Sequence, residues 1–175
     1  VNSCSFHPSG DLLAVGTSEK PLLYSLTFDS LVLRARWDSF SCTAVSFSNG
    51  GHLLAAGSLI IKVISTYSGK VVTSLRGHNL TIKSITWAPN DSFFISSGID
   101  GNVFKWSAKT WDRENKVSLP TQCLCALLAE SPSTTAARNE MENEGVNSNF
   151  SSNNFNILVA TTNSTIFDMD LQYER

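Results

Sequence analysis

Residues 75–106 read LRGHNLTIKSITWAPNDSFFISSGIDGNVFKW, and the fold class is most evident from these residues. Short runs such as SITWAP and NVFKW alternate apolar with polar residues, and β-branched and aromatic residues are frequent in them, as in half-buried strands. Between the runs stand PND and DG, residues that accept a positive φ or bond to their own backbone in tight turns. No capped window shows the helical spacing of apolar residues. The stretch therefore predicts short strands joined by hairpins.

The same arrangement recurs along the chain with a fixed period. Segments beginning NSCSFHPSG, CTAVSFSNGG, KSITWAPND and CLCALLAES place Phe6, Phe47, Trp87 and Leu127 at corresponding points, at spacings of 41, 40 and 40 residues. A period of about 40 residues with several short strands per unit is typical of a propeller blade, a small sheet that buries its faces against its neighbours. We therefore predict an all-β fold of about four blades, at about residues 1–36, 42–76, 82–116 and 122–175.

Residues 75–106 closely resemble one blade of the WD40-repeat family. His78 follows glycine as in the family's GH pair, Asp100 precedes glycine at its tight turn, and Trp106 stands at its closing tryptophan, although Ser107 follows where the family has Asp. A buried carboxylate and imidazole are tolerated only when every polar atom has a partner. The resemblance accordingly implies a WD40-type β-propeller with a buried structural tetrad of His78, Ser96, Asp100 and Trp106.

The residue types of this tetrad also occur in the catalytic triad of hydrolases. No G-x-S-x-G elbow presents Ser96 to a substrate,. The sequence offers neither paired inward carboxylates nor a metal constellation, and the four cysteines lack the C-x-x-C spacing of zinc sites,. We therefore predict no enzyme, with no catalytic residue, no cofactor and no metal site.

The other blades depart from the family pattern. In the second blade Ile60 begins the run that replaces the turn aspartate, and Ile64 takes the place of the tryptophan; Tyr24 takes that place in the first. We expect apolar packing to hold these blades. Because four blades are fewer than the usual seven-bladed ring of the family, we expect an incomplete ring that further blades outside this chain complete.

The fourth blade is interrupted. Residues 130–155 read ESPSTTAARNEMENEGVNSNFSSNNF, rich in Ser, Thr, Asn and Glu. Such a composition buries too little apolar surface to order itself. The sequence predicts a disordered loop insertion here.

Charge and hydropathy exclude two classes of partner. Thirteen Lys and Arg against 15 Asp and Glu give a net charge of −2 without any basic run, which argues against binding nucleic acid. The longest apolar stretches are far shorter than the roughly 20 residues that cross a bilayer, so no membrane association is expected. A mild basic patch with neighbouring acidic residues reads as a solvated edge, and Trp37 and Trp111 fall in connections between blades, where an exposed tryptophan is a plausible partner anchor,.

A closer resemblance rests on residues 7–26, 46–57 and 74–106. These are similar to the N-terminal propeller region of axonemal cilia- and flagella-associated WD-repeat proteins, and FSNGGHLLAA, residues 47–56, is the most specific part. The resemblance implies a scaffold on the doublet microtubules of the ciliary or flagellar axoneme, where it helps place inner dynein arms or regulatory complexes. The alternative is a cytosolic WD-repeat adaptor, such as a substrate receptor of a ubiquitin ligase.

Overall fold

The chain folds into four small antiparallel sheets. The computed structural model describes residues 1–130 and 155–170, which form fifteen strands in these ranges. The first sheet contains β1 (Ser3–Phe6), β2 (Leu12–Gly16), β3 (Pro21–Leu26) and β4 (Leu31–Arg36), and the second β5 (Ala44–Phe47), β6 (Leu53–Gly57), β7 (Ile60–Ser65) and β8 (Val71–Arg76). The third contains β9 (Ile82–Trp87), β10 (Phe93–Gly98), β11 (Asn102–Ser107) and β12 (Arg113–Ser118), and the fourth β13 (Cys123–Glu130), β14 (Phe155–Thr161) and β15 (Ile166–Asp170).

Each sheet is a meander in which every strand pairs with the next one along the chain. The turns after the first strands share one geometry. Gly10, Gly51 and Asp91 occupy the same turn position with φ of 81°, 74° and 54°, a left-handed conformation that glycine adopts without cost and Asp more readily than most residues. Local turn chemistry therefore sets the hairpin that starts each of these three sheets.

The core lies between neighbouring sheets. The first strands contact one another in the order β1, β5, β9 and β13, and a separate apolar cluster fills each of the three gaps between sheets. The sheets are not closed into a ring. The predictions of an all-β fold, of about four WD-type blades and of an incomplete ring are confirmed.

The predicted disordered insertion at residues 130–155 lies outside the described residues, apart from its two end positions in β13 and β14. These two strands pair from Cys123 opposite Thr161 to Glu130 opposite Phe155.

Candidate functional site

The structure brings His78, Ser96, Asp100 and Trp106 into one hydrogen-bonded chain. The Nε2 atom of His78 lies 2.8 Å from the Ser96 hydroxyl oxygen, and Nδ1 lies 3.1 Å from both carboxylate oxygens of Asp100. The indole N–H of Trp106 donates to the Ser96 hydroxyl oxygen at 2.9 Å. The side chains of His78 and Asp100 are only 1% and 4% exposed.

The protonation states of His78 and Asp100 fix which atoms donate and which accept in these hydrogen bonds. Burial lowers the pKa of His78, and the neighbouring Asp100 carboxylate offsets that effect only in part, so the imidazole is neutral at pH 7. Burial raises the pKa of Asp100, but hydrogen bonds from Asn102, from the Asn79 amide and from His78 outweigh it, and the net pKa is lowered. A neutral imidazole that donates from Nδ1 to this carboxylate accepts the Ser96 hydroxyl proton at Nε2. Every donor in the chain thus has an acceptor.

The arrangement has the residue types of a hydrolase triad but not its access. Ser96 lies in the middle of β10 and is fully buried. Its hydroxyl oxygen already receives the Trp106 N–H, and its proton points to His78. A nucleophile needs a site beside it that a substrate can reach. The Ser96 hydroxyl has none.

The first and second sheets lack the hydrogen-bonded tetrad of the third sheet. Val15 and Ala56 take the position of Ser96, because each stands two residues after the residue that faces Tyr24, Ile64 or Trp106 across the hairpin. Ala56 is fully buried. Ile64, opposite Leu54, takes the place that Trp106 has opposite Phe94. In the second sheet, buried apolar side chains thus fill the positions of Ser96 and Trp106.

Two contacts between blades were not found by sequence reasoning. The Asp91 carboxylate accepts the backbone N–H groups of Asn49 and Gly50 at 2.7 and 2.6 Å, which joins the turns of the second and third sheets. The Nε2 atom of His7 lies 2.9 Å from the Gly51 carbonyl oxygen. Because a carbonyl oxygen only accepts hydrogen bonds, His7 donates in this contact. The sequence did contain a signal for the first contact, because Asp91 stands at the turn position that Gly51 has in the second sheet. An Asp at that position can accept hydrogen bonds with its carboxylate, whereas a glycine cannot.

Trp111 requires a correction. It lies in the turn between β11 and β12 of the third sheet, not between blades, and it packs half-buried against the core cluster. Its φ of 64° matches the 67° of Gly69 in the corresponding turn of the second sheet. Bulky residues rarely adopt this conformation. Trp37 does lie between blades, and its indole N–H donates to the Gly69 carbonyl at 2.9 Å.

The described residues hold no group of three His, Cys, Asp or Glu side chains placed to bind a metal ion. All four cysteines are free thiols; Cys42 and Cys123 are buried, and burial raises the pKa of each thiol to about 11. The described residues contain no helix that is long and apolar enough to span a membrane.

Comparison with known proteins adds family and relatives. The family described as "WD domain, G-beta repeat" matches residues 1–20 and 69–107. Cilia- and flagella-associated protein 57 of Mus musculus is 37% identical over 66% of this chain and 9% of its own length. Cilia- and flagella-associated protein 57 C of Tetrahymena thermophila is 30% identical over 58% of this chain and 9% of its own length. Echinoderm microtubule-associated protein-like 2 of Rattus norvegicus is 33% identical over 63% of this chain and 18% of its own length.

The chain thus spans less than a fifth of the length of each of these relatives. The repeat period, the four meander sheets and the GH, DG and Trp positions of the third sheet agree with the family match. The chain therefore carries WD40 repeats.

Proposed function

We propose that the protein is a non-catalytic scaffold of the ciliary or flagellar axoneme, which binds other proteins through propeller surfaces and helps place inner dynein arms or regulatory complexes. The observation that carries the location is the similarity to cilia- and flagella-associated proteins of Mus musculus and Tetrahymena thermophila. WD40 domains mediate protein binding and are typically non-catalytic, which supports the mode of action.

We also propose that the tetrad is structural, which agrees with a non-catalytic scaffold. His78, Ser96, Asp100 and Trp106 spend their polar atoms on one another inside the third sheet. A satisfied buried network rigidifies the sheet that carries it. Rigid sheets that hold loops at fixed positions suit a binding scaffold.

Fractionation of ciliated cells tests the location. The full-length protein is tagged and expressed in such cells, and the membrane and matrix are removed from isolated cilia with detergent. We expect the tagged protein to stay with the axoneme. Release with the soluble fraction, or accumulation in the cytosol of cells without cilia, would overturn the axonemal location and favour a cytosolic WD-repeat adaptor.

A further inference from the structure

The outer strands β4, β8 and β12 carry a bulge at the same register position. The extra residue is Arg34 in β4, Val72 in β8 and Glu114 in β12. Bulges and charged side chains are two devices by which proteins keep an edge strand from pairing with another chain. β4 and β12 combine both devices at this position. β8 has the bulge but places a valine there.

Three of the exposed residues in β8 and in the turn before it are apolar or aromatic. Val71 and Val72 are 41% and 50% exposed, and Tyr67 in the preceding turn is 99% exposed. The corresponding strand β12 reads RENKVS and begins with two exposed charges, Arg113 and Glu114. β8 is also the end strand of its sheet. Its outer backbone groups therefore have no strand partner within that sheet.

The charged residues of the segment that contains β8 are all of one sign. Residues 39–90, which include the whole second sheet, contain no Asp or Glu, although the chain as a whole has a net charge of −2. Lys70 precedes β8 and Arg76 ends it, and both are exposed. Neither makes an ion pair among the described residues. The remaining cations of this segment are Lys62 and Lys83.

The neighbouring sheets pair some of their cations with carboxylates, although Arg34 in β4 and Arg113 and Lys116 in β12 also make no ion pair among the described residues. In the first sheet Lys20 pairs with Asp38 at 2.7 Å, and in the third Lys105 pairs with Glu114 at 3.0 Å. The second sheet differs from both neighbours because its segment contains no Asp or Glu that could pair with the cations of β8.

The exposure of β8 does not come from the open ends of the array. The second sheet lies between the first and the third, and apolar clusters cover both of its faces. Val71, Val72 and Tyr67 are exposed because they stand at the outer edge of a fully packed blade. Further blades beyond the first or fourth sheet would leave them exposed.

We propose that β8 is a docking edge, at which an extended acidic segment of a partner protein adds a fifth strand to the second sheet. Main-chain hydrogen bonds to the free edge supply affinity, and alternate side chains supply specificity. The apolar side chains of the segment pack on Val71 and Val72, and its carboxylates lie near Lys70 and Arg76. This inference rests on the proposed function in one respect, that the protein binds other proteins, and does not depend on the axonemal location.

A synthetic peptide tests the docking edge directly. The probe is a fluorescein-labelled segment of alternating glutamate and valine with the six-residue length of β8, and its binding to the purified full-length protein is followed by fluorescence anisotropy. We expect saturable binding that weakens as salt screens the charges. Val72→Glu and Lys70→Glu should each weaken it about tenfold or more, because like charges then face each other across the new strand pair.

Matched variants control for folding and for net charge. Val72→Thr keeps the β-branched shape, and Lys109→Glu makes the same charge reversal as Lys70→Glu in the corresponding turn of the third sheet. Both should bind the probe within about threefold of the unchanged protein. Glu114 at the bulge of β12 shows that a glutamate fits the position of Val72 without loss of the strand. Equal weakening by Lys109→Glu and Lys70→Glu would overturn the proposal.

Altered probes separate strand addition from simple charge attraction. A peptide with alternate backbone nitrogens methylated keeps its carboxylates but loses the N–H groups of one edge, and a lysine-for-glutamate peptide reverses the charge. We expect neither to bind. Equal binding of either peptide overturns the docking edge, and so does a single-stranded DNA hexamer that binds with the same dependence on Val72 and Lys70. The peptide assay contains no axoneme, so its failure leaves the proposed location standing, and loss of the location leaves the peptide result standing.

Discussion

The second and third sheets have one topology but different centres. In the third sheet the Trp106 N–H reaches Ser96, and His78 and Asp100 complete the hydrogen-bonded chain. In the second sheet Ile64 and Ala56 fill the corresponding positions, both fully buried. A four-strand meander with the same bulge forms in both cases. The shared turns and alternation therefore build the blade, and its centre is filled by either of two kinds of interaction.

The two centres differ in what a single substitution removes. An apolar centre loses transfer free energy and gains a cavity when it is truncated. A polar centre loses only a modest net amount per hydrogen bond, but a partner left unsatisfied adds its desolvation penalty. Substitutions can therefore break each centre separately, and a change of pH can act on the polar centre alone.

Truncation in the apolar centre should have the largest effect. Ile64→Ala is expected to lower the free energy of unfolding of the full-length protein by about 2–5 kcal/mol, because Ile64 is fully buried and its neighbours are held by packing,. Denaturant titration measures the change. Val72→Ala on β8 is the control, since Val72 is half exposed and its truncation should cost no more than about 0.5 kcal/mol. Equal losses for the two variants would contradict an apolar centre in the second sheet.

Breaking the polar centre should have a smaller effect. Asp100→Ala leaves the His78 Nδ1–H and the Asn79 amide without their acceptor and is expected to cost about 1–3 kcal/mol. Thermal unfolding of the full-length protein measures it. Asp112→Ala, an exposed carboxylate in the third sheet's outer turn, is the control and should stay within about 0.5 kcal/mol. An unchanged thermal midpoint for Asp100→Ala would count against a structural tetrad.

The contrast between these sheets also marks what the sequence reveals. The period of the repeat, the hairpin turns and the residues of the tetrad are local signals, because each lies within one blade and its spacing is read directly. The contact from Asp91 to the Asn49 and Gly50 amides joins residues about 40 positions apart, and nothing in either turn alone specifies it. Trp111 shows a different obstacle, since a tryptophan does not predict the left-handed φ that it adopts in the position of Gly69. The register of the outer strands, which places Val72 at the bulge, also depends on pairing that the alternation alone does not fix.

Acidification should act on the third sheet and not on the second. Burial holds the pKa of His78 below its ordinary 6.5 in the folded protein, so below that pH the unfolded chain binds a proton that the folded chain does not. The stability that the neutral imidazole contributes is complete above pH 6.5 and falls as pH drops toward the folded pKa, with a slope of at most about 1.4 kcal/mol per pH unit. The pKa of Asp100 is lowered from 3.8, and its contribution is lost only below that value, so the two residues act in separate windows. Thermal midpoints measured from about pH 7.5 to about pH 5 should fall for the unchanged protein and for the His52→Gln control at an exposed position, and fall less for His78→Gln. Parallel curves for the three proteins would show that the buried imidazole makes no contribution to the pH dependence. That result would contradict a neutral, buried His78 in the polar centre of the third sheet.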